Sequence, residues 1–136
     1  MRNVNIIYAT KTGHSKKIAK AIAKELNIQA HNISQNPTLD TTDLLIIVGG
    51  IYGGECSPEL VKYVEGLDNG SIKNVVLITT STSKKLGQEA LKQLLQTKDI
   101  PVLDEYMCFG SFFFMKMGHP NQVETKAAVD FALKFL

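Results

Sequence analysis

The stretch VNIIYATKTGHSKKIAKAIAKEL, residues 4–26, decides the fold. Its short apolar run at 4–9 is rich in β-branched residues, the signature of a parallel strand covered on both faces. From residue 15 the period changes. Ile18, Ile22 and Leu26, with Ala19 and Ala23, fall on one stripe of a helix over 15–26, and Lys16, Lys17, Lys20 and Lys24 mostly take the rest of its circumference. A strand, a short loop and an amphipathic helix make the first half of a βαβ unit, and the rest of the chain repeats that alternation.

Apolar, β-branched runs recur at 44–48 and 75–80 and read as further central strands. Residues 28–33 alternate in polarity and 102–109 are mixed, which suits strands flanking the sheet. A second helix is predicted after Ser57 as N-cap and Pro58 at its first position. It buries Leu60, Val61, Val64 and Leu67 before Gly66 and residues 68–70 stop it. A third, over 87–97, uses Ala90, Leu91, Leu94 and Leu95, and a last one runs from about 121 to the chain end on Val123, Ala127, Ala128, Phe131, Ala132 and Phe135. The order β-α-β-β-α-β-α-β-α implies an α/β doubly wound, five-stranded parallel sheet with helices on both faces. Residues 34–42 are too few for a crossover helix and predict a turn or a single helical turn.

The whole chain of 136 residues, 1–136, reads as one domain, because no repeat, linker or low-complexity tract divides it. No run approaches the roughly 18 apolar residues of a membrane helix, so a soluble cytoplasmic protein without membrane insertion or signal peptide is expected. Cys56 and Cys108 form no CxxC and are expected as reduced thiols, with no metal site. Net charge is +2, and Arg2 is the one arginine among fifteen basic residues. The bidentate phosphate grip of nucleic-acid readers is missing, which argues against a nucleic-acid partner.

In an open parallel sheet, ligands bind beyond the carboxyl ends of the strands, where strand order reverses, normally beside the first strand. The segment TKTGHS, residues 10–15, stands there, between that strand and the N-terminus of the first helix, where backbone N–H groups and the helix dipole converge. Thr10, Thr12 and Ser15 add hydroxyls, Gly13 permits close backbone approach, and Lys11 and His14 can add positive charge. The chemistry fits one terminal phosphate. GxxxxGK[ST] and GxGxxG are missing, which argues against a nucleoside triphosphate or a dinucleotide at this loop. The competing reading is that Ser15 caps the helix and the threonines fill the loop.

These loops resemble those of the flavodoxin family. TKTGHS at 10–15 is similar to the family's T-x-T-G-N-T phosphate loop, GGIYGGE at 49–55 to the loop covering one flavin face, and TSTS at 80–83 stands where the loop after the fourth strand does. GHP at 118–120 recurs before the last helix in short flavodoxin-like chains. The resemblance spans the whole chain. It implies the flavodoxin-like strand order 2-1-3-4-5 and FMN as cofactor. Thr10, Lys11, Thr12, Gly13, His14 and Ser15 would hold the phosphate, Ile51, Tyr52, Gly53 and Gly54 would lie along the ring, and Thr80, Ser81, Thr82 and Ser83 would meet the ribityl chain or pyrimidine edge. Tyr52 is the candidate stacking residue. In flavodoxins the peptide matching Gly53 and Gly54 turns over when the flavin gains one electron and offers its carbonyl to N5, a rotation that glycine makes easy. A tight turn before the second helix is the plainer role for the pair.

The resemblance further implies an electron carrier between redox proteins, with an FMN-dependent reductase of a quinone or tetrapyrrole as the alternative. A signalling domain of similar topology would need acidic residues after the first strand, where Ala9 and Thr10 stand. Two departures stand out. His14 replaces the family's Asn, and the chain is slightly basic where ferredoxin-substituting flavodoxins are strongly acidic, with Lys84, Lys85 and Lys116 expected near the flavin rim. That charge favours an acidic redox partner or an anionic substrate. The run FGSFFFMKM at 109–117 has four phenylalanines and two methionines. It can shield the flavin, meet a partner, form a homodimer surface through 112–114, or pack under the last helix.

Overall fold

A computed structural model of the chain describes residues 3–9, 14–52, 55–68, 70–81, 89–109 and 122–135. In chain order these form β1 (Val4–Tyr8), α1 (His14–Leu26), β2 (Ala30–Asn32), a 3-10 turn (Ile33–Gln35), β3 (Leu44–Tyr52), β4 (Glu55–Cys56) and α2 (Pro58–Glu65). They continue with β5 (Val75–Ser81), α3 (Glu89–Thr97), β6 (Val102–Phe109) and α4 (Gln122–Leu133). The parallel strands lie in the order β2-β1-β3-β5-β6. Counting parallel strands alone, that is the expected 2-1-3-4-5.

The central strands β1, β3 and β5 are buried on both faces, which is why they read as aliphatic runs and not as alternations. Ile6, Tyr8, Ile46, Val48, Val76 and Ile78 face α1 and α4, with Ile18, Ile22, Phe131 and Ala132 packed on them. Ile7, Leu45, Ile47, Val75 and Leu77 face the other way, against Leu60, Val64, Leu91 and Leu95 of α2 and α3. Ile18 and Ile22 are fully buried, and such burial contributes about 1.5–3 kcal/mol per side chain. Two helices end on a left-handed residue: Asn27 (φ 56°) after α1, and Asp99 (φ 58°) two residues past α3. The following amides, of Ile28 and Ile100, donate to the carbonyls of Ala23 and Leu95, both at 2.9 Å.

The expected turn at 34–42 is present as the 3-10 turn, capped by the Asn32 side chain, which accepts from the Ser34 N–H. α2 begins as expected, with the Ser57 hydroxyl accepting from the Leu60 N–H and Pro58 first in the helix. Four details differ from the sequence reading. Ala90 is exposed, because Leu91, Leu94 and Leu95 already complete the stripe of α3. α4 stops at Leu133, although Phe135 still packs on the core. Two segments expected as loops are strands instead. Gly49–Tyr52 continue β3, held by pairing to β5, and β4 folds back antiparallel onto their end through Ile51↔Cys56 and Tyr52↔Glu55. Ser81 extends β5 one residue past the expected 75–80, because both neighbouring strands pair with it.

Candidate functional site at the carboxyl ends of the strands

The strand register creates a boundary. Tyr8, Val48 and Ile78 are direct neighbours across β1, β3 and β5, and all three are buried. One residue further on, the row reads Ala9, Gly49 and Thr79: the Ala9 N–H donates to the Val48 carbonyl at 3.1 Å, and Gly49 pairs with Thr79. The next rows pair Gly50 with Thr80 and Ile51 with Ser81. Large aliphatic side chains thus give way to small and hydroxyl-bearing residues at one level on three adjacent strands. That level faces the crevice made by the strand order, since β1 lies between β2, which follows it in the chain, and β3, which comes after both.

α1 starts at the same pole. Its first residue is His14, so Ser15 lies within the first helical turn and not at the cap. Ser15 is nonetheless fully buried. The first turn of a helix presents N–H groups that have no acceptor within the helix, together with the positive end of its dipole. A buried hydroxyl beside those groups, at the end of β1, is suited to holding an anion.

Of the residues the sequence singled out, Ile51 and Tyr52 end β3, and Thr80 and Ser81 end β5 beside them. His14 and Ser15 open α1. Thr10, Lys11, Thr12, Gly13, Gly53, Gly54, Thr82 and Ser83 lie outside the described residues, as do Lys84, Lys85, Lys116 and the run 112–114.

Sequence reasoning missed a polar chain reaching this level from the sheet's far side. Thr79, fully buried on β5, donates through Oγ1 to Glu105 Oε2 of β6 at 2.7 Å. Glu105 Oε1 pairs with Lys92 of α3, which also reaches Glu89 at 3.1 Å. The Glu105 side chain is only 11% exposed. The hydrogen bond to Glu105 is the main reason the Lys92 ammonium titrates above its usual range; burial works against it, and Glu89 adds to the rise. Threonine at the end of a strand and glutamate within the next, mixed strand gave no periodic signal.

A family model described as a flavodoxin domain matches residues 5–111. The chain belongs to the flavodoxin family. Among curated proteins, this flavodoxin-family chain is similar to an uncharacterised protein of Methanocaldococcus jannaschii, 28% identical over 135 residues and covering 90% of each chain. Among solved structures it is similar to oxidised flavodoxin 2 from Bacillus cereus, with a TM-score of 0.72 and 16% identity over 98% of this chain and 97% of that one. It is also similar to a flavoprotein in complex with FMN from Lactobacillus acidophilus, with a TM-score of 0.58 and 13% identity over 79% of this chain and 93% of that one.

FMN is the cofactor that membership of the flavodoxin family brings. The residues present fit it: a buried serine in the first turn of α1 suits a phosphate, and glycine and hydroxyl rows beyond a sealed aliphatic layer suit a flat ring with polar edges. Among the described residues, no helix is long and apolar enough to cross a membrane.

Proposed function

We propose that this flavoprotein is a one-electron carrier between redox proteins, holding FMN at the carboxyl ends of β1, β3 and β5. The observation that carries the proposal is the in-register change from buried aliphatics to Ala9, Gly49 and Thr79 beside the N-terminus of α1. In this reading Thr10, Thr12, Gly13 and Ser15, with Lys11 and His14, hold the phosphate. Ile51, Tyr52, Gly53 and Gly54 cover the ring, and Thr80, Ser81, Thr82 and Ser83 meet its polar edge or the ribityl chain. When bound, FMN supplies the ability to take up and release electrons one at a time. The protein's part is to bind it, exclude water from one face and choose the partner.

The partner we propose is acidic. α1 exposes Lys16, Lys17, Lys20 and Lys24, and its first turn has no acidic residue. Local electrostatics oppose this arrangement. Cations at a helix N-terminus oppose the dipole, and Lys16, Lys20 and Lys24 repeat at the i,i+4 spacing where like charges repel by about 0.2–0.5 kcal/mol per pair. A lysine ridge kept against those terms, starting at the flavin pole, suits steering of an acidic surface.

Stepwise reduction of the FMN-loaded protein, followed by its visible spectrum, tests the carrier reading. A long-wavelength band that rises and then falls as electrons are added is expected. Direct two-electron bleaching with steady NAD(P)H oxidation would favour the reductase alternative, and a protein that takes up no FMN would overturn both.

A further inference from the structure

We infer that Glu105 is a positioning residue for the flavin-facing end of β5, acting through Thr79. The inference rests on the proposal that FMN meets Thr80 and Ser81. Residues 75–78 of β5 are aliphatic and fully buried, and the strand turns polar at Thr79, one residue before that end. On its outer side β5 is paired to β6, which among the described residues is the last strand of the sheet and has one neighbour. An edge strand is the least constrained part of a sheet. Its pairing with β5 is also irregular near its start, where Val75 faces Val102 but Val76 faces Asp104, leaving Leu103 as an extra, exposed residue. Backbone pairing therefore constrains β6 poorly at its amino end.

The side-chain chain Thr79, Glu105, Lys92, Glu89 supplies what that edge lacks. Glu105 stands opposite Leu77 in the ladder, so its carboxylate reaches along the strand to Thr79, two residues nearer the site. Its other oxygen is held by Lys92, whose second contact is Glu89, the first residue of α3. One carboxylate thus ties β5, β6 and the start of α3 together just below Thr80. A well-packed apolar residue would serve stability as well or better, since burying a charge incurs a desolvation penalty. What a directional, charge-assisted bond adds is a fixed position for the strand end.

The test uses Thr79→Val, which removes the hydroxyl while keeping the shape, Thr79→Ser, which keeps a donor, and Glu105→Gln, which removes the charge. Apoprotein is titrated with FMN, followed by flavin fluorescence, and amide hydrogen exchange of the apoprotein is measured separately. Thr79→Val and Glu105→Gln are expected to weaken FMN binding about three- to tenfold, a fraction of what loss of a hydrogen bond to a charged group can cause, with Thr79→Ser near wild type. Exchange at residues 79–81 should quicken in the first two variants, while that at 5–8 of β1 stays put. Unchanged affinity and exchange in folded Thr79→Val would overturn the inference, and so would a uniform rise in exchange across the sheet. If Thr79→Val does not fold, Glu105→Gln and Thr79→Ser decide by the same criteria. Should wild type bind no FMN, the flavin reading fails on its own, and the exchange data still decide whether Glu105 holds the end of β5.

Discussion

Replacing Ser15 by alanine is the sharpest probe of the phosphate site. The side chain is fully buried in the first turn of α1, so no bulk water stands ready to replace the lost hydroxyl. A hydrogen bond to a charged group contributes about 1.5–3 kcal/mol net, and at 1.4 kcal/mol per factor of ten the expected loss of FMN affinity is about ten- to hundredfold. The fold should tolerate the change. Alanine is the better helix former by less than about 0.7 kcal/mol, and the cavity is one oxygen atom. The assay compares FMN with riboflavin, which has the same ring and ribityl chain but no phosphate, by fluorescence titration of wild-type and Ser15→Ala apoprotein. FMN affinity should fall and riboflavin affinity should hold. Equal losses for both ligands would place the defect in the ring site or the fold, and no loss for either would remove Ser15 from the phosphate cradle.

Three other outcomes are expected. Changing Lys16, Lys17 and Lys20 to Gln should slow oxidation of the reduced holoprotein by the anion ferricyanide at low ionic strength and leave the rate with a cationic cobalt complex the same or faster, with the differences fading as salt screens them. Alkaline stability should fall from about pH 10 upward. Tyr63 is raised above 10.0 by burial, and Lys92 is raised above 10.5 by Glu105, so each contribution is whole below the unfolded value and lost as pH climbs through the folded one. Tyr63→Phe and Lys92→Met should each flatten that limb in urea titrations at pH 9–11. Ser57→Ala should lower stability by about 1 kcal/mol through loss of the α2 cap, read as a shift of the urea midpoint at constant slope.

The central strands and the first two helices were legible because each is set by a single local signal. For the strands it is an aliphatic run buried on both sides; for α1 a complete stripe; for α2 the pair Ser57 and Pro58. The carboxyl end of β3 was not legible. Gly49 and Gly50 have low strand propensity, and they are strand only because Thr79 and Thr80 pair with them, a tertiary fact that overrides propensity. β4 itself, two residues long, has no periodic pattern, and the glycine pair in the sequence before it signals a turn without fixing which strand follows. The Thr79–Glu105 bond joins residues 26 apart in sequence, so no local window contains it.

The register explains why a site can form at this pole at all. In a parallel sheet the ladder fixes which residues stand side by side, so a switch in composition makes a continuous edge only if it occurs at paired positions. Val48 is neighbour to both Tyr8 and Ile78, and the switch follows directly after all three. Were it offset by one residue on β5, a large aliphatic side chain would replace Thr79 beside Gly49, and the level of small and hydroxyl residues would be broken at its β5 end. The composition of β5 therefore depends on its partners, and Thr79 sits where two constraints meet. It must end the aliphatic layer in step with Gly49, and it must bond Glu105 to hold the strand end in place. Valine keeps the shape of the side chain but cannot bond Glu105, and serine keeps the bond with a smaller side chain, which is why that pair of substitutions separates packing from positioning.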